Sequence, residues 1–237
     1  MTHTKLDRRA LLTAAGLAGL ATAAPAAAAP LPVTPTPGAI PSFSPKPLPF
    51  DPKTVTGLSE ALLTSHHDNN YAGAVKRLGA IRTELAGLDP ATAANFRING
   101  LKREELVAWN SMILHEVYFA GFGPAAAAST SLAQAIERDF GSQARWAAEF
   151  TAAGKALGGG SGWVVLTWSR HDERLVNAWA ADHTMTLADS APILVMDMYE
   201  HAYAMDYGAK AAAYVDAFMK AVTWTEANRR FERAARG

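Results

Sequence analysis

The apolar run Pro192-Ile193-Leu194-Val195-Met196 contains no polar side chain and stops on Asp197, with His201 four positions further on. A run of this length with β-branched members predicts a buried strand. The fold must therefore bring a carboxylate and an imidazole to the end of a core strand. If the segment after the strand is helical, a spacing of four stacks Asp197 and His201 on one face, where both reach a single metal ion. An Asp and a His so spaced are common on helices. The pair gains weight only if other imidazoles complete the shell.

Composition limits which donors those can be. The chain has no cysteine, which excludes disulfides, thiolate metal sites and cysteine nucleophiles together, and leaves histidine and carboxylate as ligands. Its seven histidines are His3, His66, His67, His115, His171, His183 and His201. Formal net charge is zero, so no basic footprint suggests a nucleic-acid partner. With 237 residues, 49% of them hydrophobic, the chain can bury a substantial core as one compact unit or two small domains.

Residues 1–29 have the order of an export signal: Lys5, Arg8 and Arg9, then the weakly apolar Ala10 to Ala24, then the small residues Ala26 to Ala29. Arg8-Arg9 resembles a twin-arginine signal, which implies the twin-arginine export machinery as a partner and a periplasmic or secreted destination. The stretch is short and Ala-rich for a bilayer span, so no stable span is expected in the mature chain. Residues 30–45 form a Pro-rich tether. The nine prolines between Pro30 and Pro52 cannot sit in a helix and predict an extended, polyproline-like course.

Beyond the tether, helical periodicity runs from Leu58 to Leu88, with Ala74, Leu78, Ile81 and Leu85 in one stripe and Pro90 ending it. Continued backwards through Tyr71, the stripe reaches His67, which leaves His66 and His67 as competing candidates. A second helix is expected from Arg103 to Gly121, with His115 in the stripe Ala108, Met112, His115, Phe119 and Phe122. Two more helical patterns, Ser131–Phe140 and Ser142–Leu157, precede Gly158-Gly159-Gly160-Ser161-Gly162-Trp163. That glycine string lacks the ending of a phosphate loop and leads into a strand. Strands are expected over Trp163–Trp168, Arg174–Ala180 and Ile193–Met196, with His171 in a polar turn, then helices over Tyr207–Val222 and Thr225–Arg236. The fold class is α+β: an N-terminal helical hairpin, residues 46–124, followed by an α/β metal-binding domain, residues 125–237, with a three-stranded antiparallel sheet.

Asp197-Met198-Tyr199-Glu200-His201-Ala202-Tyr203 resembles the signature Asp-x-Trp-Glu-His-Ala-Tyr of the iron/manganese superoxide dismutase family, with Tyr199 in place of Trp. Lys46 to Asp51, Ser65 to Tyr71, Leu114 to Phe119 and Gly160 to Trp163 resemble further segments of that family. The resemblance implies one Fe or Mn ion per subunit, held by His66, His115, Asp197 and His201. It implies one-electron cycling that converts superoxide to oxygen and hydrogen peroxide. Trp163, Tyr199 and Glu200 would surround the ligands. His183 would hold the outer-sphere hydrogen bond, because Ser111, four residues before His115, is too short. Glu200 would reach a ligand histidine across an interface, which implies a homodimer or a higher homo-oligomer. The sequence departs from the family at Asn70 and Ala74, where a second histidine and a gateway tyrosine are usual, and Tyr71 is the neighbouring phenol able to substitute. Ala204 departs as well, at the partner position of Asn70. A non-catalytic Fe/Mn-binding relative and another non-haem iron redox enzyme are the alternatives.

Overall fold

The computed structural model describes residues 43–236; the export-signal segment and the tether up to residue 42 lie outside the described residues. All described residues fall in one compact unit, Ile40–Gly237. Its first helix starts where the Ser59 hydroxyl accepts from the Leu62 N–H, satisfying one of the free donors of the opening turn. It then runs as α1 (Glu60–Ser65), a π-helical turn (His66–Tyr71) and α2 (Ala72–Ala86). Its most deeply buried line of side chains takes in Leu62, His66, Tyr71, Val75 and Leu78. One of these steps is five residues, and it coincides with the π-turn, whose wider ring absorbs an additional residue. That residue shifts the phase of the stripe, turning His66 inward to 1% exposure and leaving His67 partly exposed. Constant helical periodicity cannot register such a shift.

Helix α3 (Asn95–Phe119) packs against α2 and completes the hairpin. It begins well before the expected Arg103; its first turns, including the 83% exposed Phe96, bury almost nothing and carry no apolar stripe that periodicity could register. Helices α4 (Thr130–Phe140) and α5 (Gln143–Ala156) are each capped by a serine hydroxyl, from Ser129 and Ser142. The sheet has the order β2-β1-β3, all antiparallel: β1 (Trp163–Ser169), β2 (Arg174–Ala180) and β3 (Ser190–Asp197). Every residue of β1 is buried, as befits a central strand covered on both faces. The register puts Trp163 opposite both Ala180 and Asp197. The β1–β3 ladder slips between Leu166 and Thr167, and Pro192, opposite Thr167, has no N–H to continue it.

Two expectations are corrected at the end of β3. Asp197 is the last strand residue and Glu200–Ala202 make a single 3-10 turn, so Asp197 and His201 meet across a strand-to-turn corner and not on one helix face. The single helix expected over Tyr207–Val222 is two, α6 (Ala204–Tyr207) and α7 (Ala211–Ala221). Gly208 separates them at φ +55°, ψ −129°, a conformation that side-chain-bearing residues rarely adopt. Helix α8 (Thr225–Ala235) closes the chain. One hydrophobic cluster joins Leu62 and Tyr118 of the hairpin to Val164 and Val195 of the sheet and to Phe218 of α7. The α+β expectation holds, and both halves share this core.

Candidate metal centre

Four side chains from three distant parts of the chain meet inside that core. His66 comes from the π-turn, His115 from α3, Asp197 from the end of β3 and His201 from the 3-10 turn. One donor atom of each lies within 4.8 Å of the other three. The Nε2 atoms of His66, His115 and His201 stand 3.1, 3.5 and 3.2 Å from a single oxygen, Asp197 Oδ2. Two donors each about 2.1 Å from a first-row metal ion stand about 3.0–3.6 Å apart at inter-ligand angles of roughly 90–120°. The observed spacings are therefore those of ligands on one ion. Three of the four side chains are essentially fully buried, and only His201, with 26% of its side chain exposed, touches the outside.

The protonation pattern fits the same use. His115 Nδ1 lies 2.6 Å from the Ser111 main-chain oxygen, which can only accept, so Nδ1 bears the proton and the Nε2 lone pair faces the cluster. That Nε2 is fully buried and has no hydrogen-bond partner. Burial pulls the His115 imidazole down to about 3 and lowers His66 as well, so both are neutral at neutral pH. Burial acts on Asp197 in the opposite sense, but hydrogen bonds and charge interactions with His201 and His66 hold its carboxyl well below the usual range. A buried carboxylate oxygen facing three imidazole nitrogens exceeds what its lone pairs can satisfy as hydrogen bonds. A cation among these donors removes both the orphaned nitrogen and the uncompensated charge. Neutral imidazole with carboxylate suits Fe or Mn.

The corner itself is braced by the backbone. Tyr199 N–H donates to Asp197 Oδ1 at 2.8 Å, and the fully buried Tyr214 hydroxyl donates to the Asp197 main-chain oxygen at 2.7 Å. Met198 N–H donates to the Gly162 oxygen at 2.9 Å. Gly162 sits at φ +139°, and a β-carbon there would lie 2.1 Å from the Ala180 oxygen, so only glycine fits. Tyr214 and the Ser111 carbonyl escaped sequence reasoning. For Ser111 the signal was available, since it lies one helical turn before His115; for Tyr214 there was none.

Around the four donors, His183 accepts at Nδ1 from the Trp163 indole N–H at 3.0 Å, which leaves Nε2–H as the donor of its neutral ring. The loop carrying it is tied to α3 by Asn110, which donates to the His183 main-chain oxygen at 2.7 Å. Tyr199 is stacked between His183 and His201, with ring centroids 4.7 and 5.3 Å away; burial pushes its phenol up to about 12. Trp163 meets His115 edge-on at 5.1 Å. The Glu200 side chain is exposed and makes no hydrogen bond or ion pair among the described residues. Tyr71 is directed elsewhere than expected. Its hydroxyl accepts from the Lys46 N–H and donates to Glu116, because the π-turn that swings His66 inward aims residue 71 at the entry segment.

Fold and site together define a class: α+β proteins in which a helical hairpin supplies two donors, and the last strand of a three-stranded sheet and the turn after it supply two more, to one mononuclear centre. Residues 128–230 match the family described as iron/manganese superoxide dismutases, C-terminal domain. The chain is 64% identical over 191 residues to a superoxide dismutase [Fe] of Cupriavidus metallidurans, covering 81% of this chain and 97% of the relative. It is 36% identical to superoxide dismutase [Mn] 1 of Halobacterium salinarum, over 80% of this chain and 94% of the relative. It is 33% identical to superoxide dismutase [Fe] of Aquifex aeolicus, over 77% and 88%. The chain belongs to the iron/manganese superoxide dismutase family.

Proposed function

We propose that the protein is a superoxide dismutase, converting two superoxide anions and two protons to oxygen and hydrogen peroxide, with His66, His115, Asp197 and His201 holding one Fe or Mn ion. The observation that carries this reading is the convergence of three imidazole Nε2 atoms on one buried carboxylate oxygen. The 64% identity to an iron superoxide dismutase supports the reaction assigned to it. The ion supplies one-electron cycling between its trivalent and divalent states. The protein's part is electrostatic. Asp197 contributes the single negative charge of the set, and its burial keeps bulk water from screening it. His183, its ring centroid 6.3 Å from that of His115, carries a proton on Nε2 toward those that peroxide formation consumes, with Trp163 fixing the tautomer. Elemental analysis paired with a superoxide-decay assay, on the wild type and on His115→Ala, tests the reading. The expected outcome is about one ion and full activity in the first, and loss of both in the second. A folded, metal-loaded wild type without activity would instead indicate a non-catalytic metal-binding relative.

The export route and the oligomer are parts of the same proposal. Arg8-Arg9 ahead of an apolar, Ala-rich stretch supports twin-arginine export to the periplasm or the medium. No described helix is long and apolar enough to cross a membrane. Exposed Glu200 beside His201 supports a homodimer in which that carboxylate reaches a ligand imidazole of the partner subunit. Asn70 and Ala204 remove a second interfacial pair, so the contact between subunits is repacked around other residues.

A further inference from the structure

The π-turn that delivers His66 is the least self-sufficient part of the site. A π-turn has lost the regular i to i+4 bonds of its flanks and needs outside support to persist. That support comes from a single residue of the entry segment. The Lys46 N–H donates to the Tyr71 hydroxyl at 3.0 Å, and the Lys46 main-chain oxygen lies 2.7 Å from His67 Nε2, so the backbone of one residue brackets the turn at both ends. The Tyr71 hydroxyl then donates to Glu116 Oε1 at 3.1 Å, and Glu116 Oε2 accepts from Lys46 Nζ at 2.6 Å. Glu116 follows the ligand His115 directly. The network therefore joins the backbones that carry two of the four donors to the segment that leads in from the tether. Tyr71 is 2% exposed, and burial raises its phenol, so it remains a donor throughout the physiological range. A cleft of about 210 Å³ borders Lys46, His67, Tyr71, Glu116 and Phe119, which gives water access to these bonds once any one of them is lost.

We infer that Tyr71, with Lys46 and Glu116, is a positioning clamp that holds the π-turn in the posture from which His66 retains the metal ion. The inference rests on the metal-site reading above. The part of the clamp that matters is the hydroxyl and the Lys46 backbone, not the surface ion pair. The Lys46 ammonium is 70% exposed, and such pairs contribute little. The clamp also gives the family-atypical Tyr71 a role at a distance from the reacting atoms.

The test uses the full chain loaded with Fe or Mn and challenged with an excess of chelator, well below the unfolding midpoint. Tyr71→Phe keeps the ring and removes both hydroxyl bonds; metal release is expected to accelerate about tenfold, the scale typical of losing a group that orients a ligand. Lys46→Met removes the ion pair and keeps the backbone bonds, and Glu116→Gln keeps an acceptor for Tyr71, so both should release metal within about twofold of wild type. Amide exchange over residues 66–71 in the metal-free protein should be faster in Tyr71→Phe alone. Wild-type release from Tyr71→Phe, or release from Lys46→Met as fast as from Tyr71→Phe, overturns the clamp. If Tyr71→Phe fails to fold, Glu116→Ala at a partly exposed position replaces it; it removes the acceptor of the Tyr71 hydroxyl and keeps the Lys46 backbone bonds, so release between that of wild type and about tenfold faster is expected, and wild-type release overturns the clamp. Should the wild type take up no ion, the metal-site reading falls, and amide exchange still decides on the clamp: unchanged exchange in Tyr71→Phe overturns it.

Discussion

The two halves of the site hold their ligands by different means. In the sheet half, Asp197 ends a strand paired with a fully buried neighbour, and the corner after it is bonded through main-chain atoms of Gly162 and Tyr199. In the hairpin half, His66 rides on an irregular turn braced by side chains and by the backbone of one residue of the entry segment, Lys46. His115 is steadied by the carbonyl one turn back on its own helix. Backbone bracing tolerates side-chain change and fails at glycine. Side-chain bracing fails one residue at a time. The same four-donor geometry therefore has two distinct weaknesses.

Acid is the strongest way to separate them. His115, about 3 in the folded protein against an ordinary 6.5, contributes stability that is fully present above pH 6.5 and is lost as pH falls towards 3. The whole window is on the order of 5 kcal/mol, with about 2 kcal/mol already gone between pH 7 and pH 5. His66 shifts in the same direction. The sheet-half Asp197 is depressed, so its contribution is present above the ordinary carboxylate range and declines only below it. Denaturant midpoints of the metal-free protein at pH 7 and pH 5 should fall accordingly, and His115→Phe should flatten the fall. An equal fall in His115→Phe would remove the hairpin half's distinctive sensitivity. Next in size is Gly162→Ala, which puts a β-carbon into the Ala180 carbonyl at a left-handed backbone angle; about 3 kcal/mol of destabilisation is expected by thermal denaturation. A change below about 0.5 kcal/mol would show that the corner does not depend on that contact. The smallest effect is that of Trp163→Phe, which removes the indole donor to His183 at about 1 kcal/mol in stability. Its readout is kinetic: kcat should drop about tenfold with the metal retained, and its pH profile should shift because His183 is free to change tautomer. Unaltered kcat and pH profile would deny His183 a part in the reaction.

How much of this was legible in the sequence follows the same division. Arg174–Ala180 has the expected bounds, and β1 and β3 differ only at their ends, because strand runs are bounded by glycine and polar turns that a sequence displays openly. The corner after Asp197 was legible as a string of residues but not as a conformation, since spacing alone does not distinguish a helix face from a strand that turns. In the hairpin, the phase shift at His66–Tyr71 was invisible to periodicity, and that is why the stripe pointed to His67. The π-turn depends on Lys46, which is remote in sequence, and no local pattern encodes such support. The opening turns of α3 were missed for a plainer reason, because Phe96 and its neighbours are exposed and supply no amphipathic signal.

The separation of the donors along the chain has a consequence for biosynthesis. His66 and Asp197, 3.1 Å apart in space, are 131 residues apart in sequence, and His201 follows still later. Closing so long a loop is entropically costly and comes late in folding. A chain that has emerged only as far as β3 accordingly has His66 and His115 but not the other two donors, so the set of four exists only once the last strand and the turn after it have been made and folded.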